Sequence, residues 1–213
     1  MAAPSRRTIA RQLESLADFS DPSPALEQYL TPPEIAAHVC HLAGLQGDLD
    51  RPVLDLGTGT GMLAVGATLA GGDRVAGIDV DRDALAVARA NARRIDGASG
   101  IDWIQGDVAR HPFSSAGVTV VSNPPFGAQR GNRHADRRFL ETARSIAAVS
   151  YTIHNAGSQS FVESFAADEG GTVTHAFRAP FPIERRFEFH TEASETLEAE
   201  VFRIEWSRFE PPA

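Results

Sequence analysis

The sequence contains no lysine, a single cysteine and no long apolar run. All 20 basic residues are arginine, and they face 28 acidic residues, which leaves a net charge of -8. An acidic protein is a poor electrostatic match for nucleic acid in dilute buffer. Any nucleic-acid role must therefore rest on a local basic patch, a partner or strong external salt.

Cys40 alone excludes an internal disulfide and a cysteine-rich metal site in this chain, and no metal is predicted. The apolar runs fall short of the roughly 18 residues that cross a bilayer. Charged residues near the start lie where a signal peptide needs an apolar stretch. We therefore expect a cytoplasmic protein without membrane association. With 213 residues, 42% of them hydrophobic, it can form one α/β domain with small additions.

Hydrophobic periodicity divides the chain into an N-terminal addition, residues 1–24, and a main domain, residues 25–213. Apolar residues at helical spacing predict an amphipathic helix over 5–16 that lies on the main domain. Serine and proline then predict a linker over 18–24.

The main domain begins with a helix and continues as alternating strands and helices. Thr31 and Glu34 form a capping-box pair, which predicts a helix over 32–45. Strands are predicted over 52–56, 74–78, 101–105, 117–122 and 149–153, and helices over 62–69, 82–95, 137–147 and 159–167. This alternation is typical of a Rossmann-like, doubly wound parallel sheet. Strand-like segments at 172–177, 187–190 and 197–206 predict an antiparallel C-terminal hairpin at one edge.

Three alternate glycines, Gly57, Gly59 and Gly61, separate the first predicted strand from a helix. They allow a tight turn and close approach of a ligand to the backbone, beside the unpaired N–H groups of the helix. A dinucleotide fingerprint needs its third glycine where Met62 stands, so NAD is disfavoured. With Asp55 ahead of it, the loop resembles motif one of S-adenosylmethionine-dependent methyltransferases, whose cofactor has no phosphate. The candidate cofactor-binding residues of this loop are Asp55, Gly57, Gly59, Thr60 and Met62.

Acidic residues also end the next two predicted strands. Asp79 can accept hydrogen bonds from both hydroxyls of a ribose, whereas Asp81 is better explained as the cap of the following helix. Asp107 offers an acceptor for the adenine amine of the cofactor, and Val108 offers an apolar wall for its ring. Asp107 alone would be an ordinary turn residue. The glycine loop, Asp79 and Asp107 follow successive strands in the order expected of a methyltransferase, and together they indicate a cofactor site.

The fourth strand ends in Asn123-Pro124-Pro125-Phe126, at the edge where an α/β sheet binds ligands. The alternative is an ordinary proline-rich turn. The exocyclic nitrogen of adenine is a poor nucleophile because its lone pair is delocalised into the ring. The Asn123 side-chain carbonyl and a prolyl carbonyl can accept its two protons, and Phe126 can stack on an extruded base. We therefore interpret all four residues as catalytic, with Asn123 also contacting the cofactor.

Further segments resemble the methyltransferase-like-five family. They are Leu26-Glu27-Gln28-Tyr29-Leu30-Thr31-Pro32, Asn123-Pro124-Pro125-Phe126-Gly127, Phe139-Leu140 and Ser150-Tyr151-Thr152-Ile153-His154. The family has proline where this chain has Leu30. Its eukaryotic members methylate one adenine of small-subunit ribosomal RNA at the exocyclic amine, with a small zinc-ribbon activator protein. The resemblance implies that reaction and a heterodimer of that kind, with Gln28, Tyr29 and Thr31 contacting S-adenosylmethionine.

Arg130, Arg133, Arg137 and Arg138 form the densest basic stretch of the chain, directly after the tetrad. A solvated helix start is the alternative interpretation. The position beside the tetrad favours phosphate contacts that steer an RNA strand.

The third strand lies at an edge in methyltransferase sheets of this type. Its short apolar segment around Ile101 and Trp103 invites the addition of another strand, although helices could cover it instead. We expect the zinc-ribbon activator to bind there, with the Ile101 and Trp103 side chains giving specificity.

Other functions also use an Asn-Pro-Pro-aromatic motif. Some such enzymes methylate a glutamine of translation release factors, and others modify adenine in DNA. The residues ahead of the fold are too few for the helical substrate domain of the former, and no room remains for the target-recognition domain of the latter. A catalytically silent cofactor-binding module is a further alternative, against which the intact tetrad argues.

Overall fold

A computed structural model describes residues 4–113, 117–126, 135–184 and 194–207 of the chain. Its strands are β1 (Val53–Leu56), β2 (Val75–Asp79), β3 (Asp102–Gln105), β4 (Val118–Ser122), β5 (Ala147–Asn155), β6 (Gly171–Glu184) and β7 (Ser194–Trp206). Its α-helices are α1 (Arg6–Leu13), α2 (Pro33–Leu45), α3 (Met62–Leu69), α4 (Arg82–Ala92), α5 (Ala135–Ile146) and α6 (Gln159–Asp168).

Each helix and strand predicted within the described residues is confirmed, with ends that differ by a few residues. The largest difference is in β6, which continues to Glu184, whereas the sequence predicted an end at 177. The strand predicted over 187–190 lies outside the described residues.

Within the described residues, seven strands form one sheet in the order β3-β2-β1-β4-β5-β7-β6. The first five strands pair in parallel, and β7 runs antiparallel between β5 and β6. The predicted doubly wound α/β fold with an antiparallel C-terminal hairpin is therefore confirmed. The loops after β1, β2, β3 and β4 meet at one edge of the sheet, where such folds bind ligands.

Apolar clusters on both faces hold the sheet between helices. On one face, Ile9 of α1, Ile35 of α2 and Leu63 of α3 belong to a single cluster. On the other face, Leu140 of α5 packs with Val162 of α6. Strands β1 and β4 are buried along their whole length, in keeping with the predominance of valine and leucine in their sequences. No helix in the described ranges combines the length and apolar character needed to span a bilayer.

A buried ion pair joins the C-terminal hairpin to the parallel part of the fold. Arg203 of β7 donates from Nε to Oδ2 of Asp48 at 2.8 Å and from Nη2 to Oδ1 at 3.1 Å. The hydroxyl of Tyr151 on β5 also donates to Asp48 Oδ2, at 2.6 Å. Arg203 and Asp48 are both buried, so loss of Arg203 would leave Asp48 without its cationic partner, and loss of Asp48 would leave Arg203 with the half-exposed Glu205 as its remaining carboxylate partner.

Candidate active site

A cavity of about 280 Å³ lies at the carboxyl ends of the parallel strands. Its walls include the predicted residues Gln28, Tyr29, Gly57, Gly59, Asp79, Asp107, Val108, Asn123, Pro124, Pro125, Phe126 and Arg138. A smaller cavity of about 30 Å³ shares some of these walls and adds the predicted residues Thr31, Asp55, Thr60 and Met62. All the residues predicted for cofactor binding and catalysis are thus brought together.

The glycine loop after β1 exposes bare backbone to these cavities. Gly57 and Gly59 have positive φ angles of 67° and 52°, which favour glycine. A Cβ on Gly59 would lie 2.8 Å from the Phe19 ring, and one on Gly57 would lie 2.9 Å from the Phe139 ring. The loop therefore has no room for side chains between the backbone and these two aromatic rings.

Asp55 is a buried carboxyl beneath the loop. Its Oδ2 accepts hydrogen bonds from Thr58 Oγ1 at 2.6 Å and from the Ala64 N–H at 3.0 Å. Burial raises the pKa of Asp55 to about 7, although the Thr58 hydrogen bond opposes the shift. Oδ1 of Asp55 and Oδ1 of Asn123 are both buried, and neither has a hydrogen-bond partner among the described residues. The residues that line the small cavity thus offer two unsatisfied acceptors for donors that arrive with ligands.

Asp79 anchors the glycine loop to the end of β2. Its Oδ2 accepts from the Gly59 N–H at 2.8 Å, and its Oδ1 accepts from the Asp81 N–H at 2.9 Å. Burial raises the pKa of Asp79, and these hydrogen bonds oppose the shift. Asp81 caps α4 by accepting from the Asp83 N–H at 2.8 Å, which confirms its predicted capping role.

Asp107 and Val108 form the wall that follows β3. Asp107 caps a 3₁₀ turn, Val108–Arg110, by accepting from the Ala109 N–H at 2.9 Å. Its side chain is exposed, whereas Val108 is buried. A carboxylate and an apolar surface therefore lie side by side on the cavity wall.

The segment ahead of α2 closes one side of the large cavity. Gln28 donates from Nε2 to Oδ2 of Asp81 at 2.6 Å and accepts from the Ser23 N–H at 2.7 Å. The capping box predicted for α2 is wrong, because Pro32 occupies the cap position and no side chain caps the helix. Thr31 Oγ1 instead accepts a hydrogen bond from Asn123 Nδ2 at 3.0 Å.

Sequence reasoning missed two aromatic walls of the cavity. Phe19 lies in the linker and packs on Gly59, where the only signal is one aromatic residue among polar neighbours. Phe181 lies in β6, carries no motif and is fully buried. Its ring meets Phe126 edge to face, with centroids 5.3 Å apart and planes at 73°. The C-terminal hairpin thus supports the aromatic end of the tetrad.

The arginines of the predicted basic cluster lie in different surroundings. Arg138 lines the large cavity. Arg137 instead donates from Nε to Glu141 at 3.0 Å, and its guanidinium lies 5.7 Å from the centre of the Phe165 ring. Arg130 and Arg133 lie outside the described residues.

β3 is an edge strand, since within the described residues it pairs with β2 alone. The prediction that the Ile101 side chain faces a partner is wrong, because that side chain is buried in the core below the strand. Trp103 is half-buried, with its indole against Gly61 and close to Ala88. The exposed residues of this strand are Asp102 and Gln105.

The hydrogen-bond acceptors that line the two cavities fit S-adenosylmethionine. That cofactor carries a ribose, an adenine, a sulfonium and an amino-acid ammonium group, and it has no phosphate. Asp79 could accept from the ribose, Asp107 from the adenine amine, and the unsatisfied Oδ1 of Asp55 from the ammonium group. A pyrophosphate would instead meet the carboxylates of Asp55 and Asp79 at the glycine loop.

Known proteins are similar to this chain in sequence and in fold. The family model "Methyltransferase small domain" matches residues 39–151. An uncharacterized protein of Methanocaldococcus jannaschii is 34% identical, over 96% of each chain. The rRNA N(6)-adenosine-methyltransferase Mettl5 of Drosophila melanogaster is 30% identical, over 96% of this chain and 98% of its own. A crystal structure of a candidate RNA methyltransferase from Pyrococcus horikoshii superposes with a TM-score of 0.86 at 35% identity, covering 96% of this chain and 99% of its own.

The glutamine-methylating alternative has weaker support. A release factor glutamine methyltransferase of Enterococcus faecalis is 38% identical over 85 residues, which is 38% of this chain and 30% of that protein. The similarity to Mettl5 and to the archaeal proteins spans nearly the whole chain, N-terminal segment and C-terminal hairpin included. On these grounds the chain belongs to the methyltransferase-like-five family of S-adenosylmethionine-dependent methyltransferases.

Proposed function

We propose that this chain transfers a methyl group from S-adenosylmethionine to the exocyclic N6 amine of an adenine in small-subunit ribosomal RNA. The observation that carries the proposal is the shared cavity of the Asn123-Pro124-Pro125-Phe126 tetrad and the glycine loop. The names of the Mettl5 relatives support the same chemistry.

In this proposal the cofactor is held by the loops after the first three strands. The backbone of Gly57 and Gly59 lines the cavity beside it, Asp79 accepts from its ribose, and Asp107 and Val108 bind its adenine. Gln28, Tyr29, Thr31, Asp55, Thr60 and Met62 are the further candidate contacts around the two cavities. When bound, the cofactor supplies a methyl group already activated by the sulfonium charge, so the protein mainly provides orientation.

The tetrad prepares the target amine. Asn123 Oδ1 and the Pro124 carbonyl accept hydrogen bonds from its two N–H groups and draw the nitrogen toward tetrahedral geometry. Its lone pair can then bond the methyl carbon as the sulfur–methyl bond breaks, and the methylated amine releases one proton to solvent. Pro125 keeps this segment rigid. Phe126 stacks on the extruded base, a contact worth about 1–3 kcal/mol, and Phe181 supports that ring from its edge. No step requires a side chain with a shifted pKa.

A methyltransferase assay on purified small ribosomal subunits tests this function. The wild-type chain should form N6-methyladenosine, detected by mass spectrometry of the digested RNA. Asn123→Ala should lower turnover by roughly 100- to 1,000-fold, the effect of losing one aligned hydrogen-bonding group at a reacting atom. It should change cofactor affinity far less. Wild-type turnover by Asn123→Ala would refute the adenine mechanism, and methylation of release factor alone would support the glutamine alternative.

RNA binding by an acidic chain needs a local basic surface or a partner. Arg138 lies on the cavity wall and is our candidate phosphate contact there. Arg130, Arg133 and Arg137 complete the proposed RNA-binding set. The net charge of -8 makes a second, RNA-binding subunit more favourable than binding by this chain alone.

We further propose that a small zinc-ribbon activator adds a strand to the outer edge of β3. The Gly106 N–H donates inward to the Asp79 carbonyl at 2.9 Å. Since backbone groups alternate along a strand, the N–H groups of Trp103 and Gln105 face outward. These groups are available to a partner strand, and main-chain hydrogen bonds would provide most of the affinity.

A proline substitution at the outer edge tests the partner. Gln105→Pro removes one outward N–H and leaves the ladder to β2 intact, while Gln105→Ala keeps the N–H and serves as the matched control. Affinity for the co-expressed activator should fall roughly 10-fold or more in the proline variant only. Equal affinity of the two variants would contradict strand addition at β3.

A further inference from the structure

Thr31 and Asn123 are 92 positions apart in the sequence, yet their side chains share a hydrogen bond. Asn123 Nδ2 donates to Thr31 Oγ1 at 3.0 Å. Thr31 is only 8% exposed, so water does not easily replace this bond. The hydroxyl is not occupied by helix capping, since no side chain caps α2. The contact therefore needs an explanation other than the local structure of the helix.

The chemistry of an amide explains what the contact can do. A carboxamide has an acceptor oxygen on one side and a donor NH₂ group on the other. If Oδ1 of Asn123 accepts from the target amine, Nδ2 must point away from that amine. Because the site is enclosed, Nδ2 then needs a hydrogen-bond acceptor from the protein. Thr31 Oγ1 is that acceptor. The flipped amide would direct N–H groups against the N–H groups of the amine, which is repulsive.

The carbonyl oxygen of the same amide provides a second, independent observation. Oδ1 of Asn123 is buried and has no hydrogen-bond partner among the described residues. An unsatisfied buried acceptor destabilises a fold, so its presence at a cavity wall indicates a donor that arrives with a ligand. The amide is thus held at Nδ2 and left free at Oδ1.

We propose that Thr31 is a positioning residue for methyl transfer: its hydroxyl oxygen holds the Asn123 amide with Oδ1 available to the target amine. This inference rests on the proposed function. It also gives the N-terminal segment a role, because Gln28, three positions earlier, bonds Asp81 next to the cofactor end of the cavity. One short segment thereby connects the cofactor side of the site with the reacting amide.

Two substitutions separate positioning from packing. Thr31→Val keeps the size of the side chain and removes the acceptor, whereas Thr31→Ser keeps the hydroxyl. With small ribosomal subunits as substrate, Thr31→Val should lower kcat by roughly 10- to 100-fold, the effect of one buried unpaired amide group. KM for the subunits and Kd for S-adenosylmethionine should stay within about threefold, as for an interaction expressed mainly in the transition state. Thr31→Ser should retain most of the wild-type kcat.

The double variant and an activity-independent signal complete the test. In an Asn123→Ala background, Thr31→Val should cause no further loss of kcat, because the amide it positions is gone. In NMR spectra, the Asn123 side-chain NH₂ signals should exchange slowly with solvent in the wild type and in Thr31→Ser, and faster in Thr31→Val.

Three results would overturn the inference. They are a wild-type kcat for Thr31→Val, an additive loss in the double variant, and a loss confined to cofactor Kd, which would leave Thr31 a cofactor contact without a positioning role. If the wild type itself leaves the RNA unmethylated, the proposed function fails. The NMR comparison would then still decide whether Thr31 holds the amide.

Discussion

Asp79 holds the glycine loop to the end of β2 and lines the large cavity, so Asp79→Ala tests the proposed cofactor site. The carboxylate accepts the Gly59 N–H at 2.8 Å and the Asp81 N–H at 2.9 Å, and it lines the large cavity. In our proposal it also accepts from the ribose hydroxyls. The substitution therefore removes the ribose acceptors and releases the glycine loop at the same time.

The size of the effect follows from the charge of the acceptor. Hydrogen bonds to a charged group are worth about 1.5–3 kcal/mol, so Kd for S-adenosylmethionine should rise by about 10- to 150-fold. Release of the Gly59 anchor acts in the same direction. Asp83→Ala is the matched control, because this nearby acidic side chain is exposed and does not line the cavity. Its Kd should equal that of the wild type.

Isothermal titration calorimetry measures both variants, and circular dichroism establishes that each is folded. The folding check is needed because Asp79→Ala leaves two backbone N–H groups without their acceptor, at a cost of about 1–3 kcal/mol. An unchanged Kd in a folded Asp79→Ala protein would refute the assignment of this residue to the ribose. An equal rise of Kd in Asp83→Ala would show a general electrostatic effect instead.

Two further predictions concern stability. Asp48→Ala leaves the half-exposed Glu205 as the remaining carboxylate partner of the buried Arg203, and it should lower the free energy of unfolding by up to about 3–5 kcal/mol in urea denaturation. Glu198→Ala, which breaks an exposed pair, should cost under about 1 kcal/mol, and similar losses in the two variants would contradict this prediction. Burial raises the pKa of Asp55 from 3.8 to about 7. Between these pH values the folded chain keeps a proton that the unfolded chain has released, so the stability that this proton contributes is lost as pH rises. Relative to Asp55→Asn, the wild type should lose about 2 kcal/mol between pH 5 and 7 and less than about 0.5 kcal/mol more above pH 7, and a pH-independent difference would refute the assignment.

The parts of the site that follow from strand ends were predictable from sequence. Asp79, Asp107 and Asn123 each end a strand, and parallel strands bring their carboxyl ends to one edge whatever the details of packing. The sheet was also predictable. Strands that alternate with helices indicate parallel pairing, and strands that follow one another directly indicate an antiparallel hairpin.

Contacts that depend on tertiary packing were not predictable. Thr31 carries a capping-box pattern, but its hydroxyl bonds to an amide that only the fold brings near. Ile101 belongs to an apolar edge segment, yet the helices around it bury its side chain. Phe19 and Phe181 reach the cavity from a linker and a hairpin, and nothing local distinguishes them from other phenylalanines. Periodicity shows which residues tend to be buried and leaves open what they pack against.

Nucleoside mass spectrometry of small-subunit ribosomal RNA tests the central claim most directly. The measurement compares cells that lack this gene with the same cells supplied with the wild-type chain or with Asn123→Ala. We predict that one N6-methyladenosine is lost with the gene, is restored by the wild type and is not restored by the variant. An unchanged N6-methyladenosine content without the gene, or full restoration by Asn123→Ala, would contradict the account.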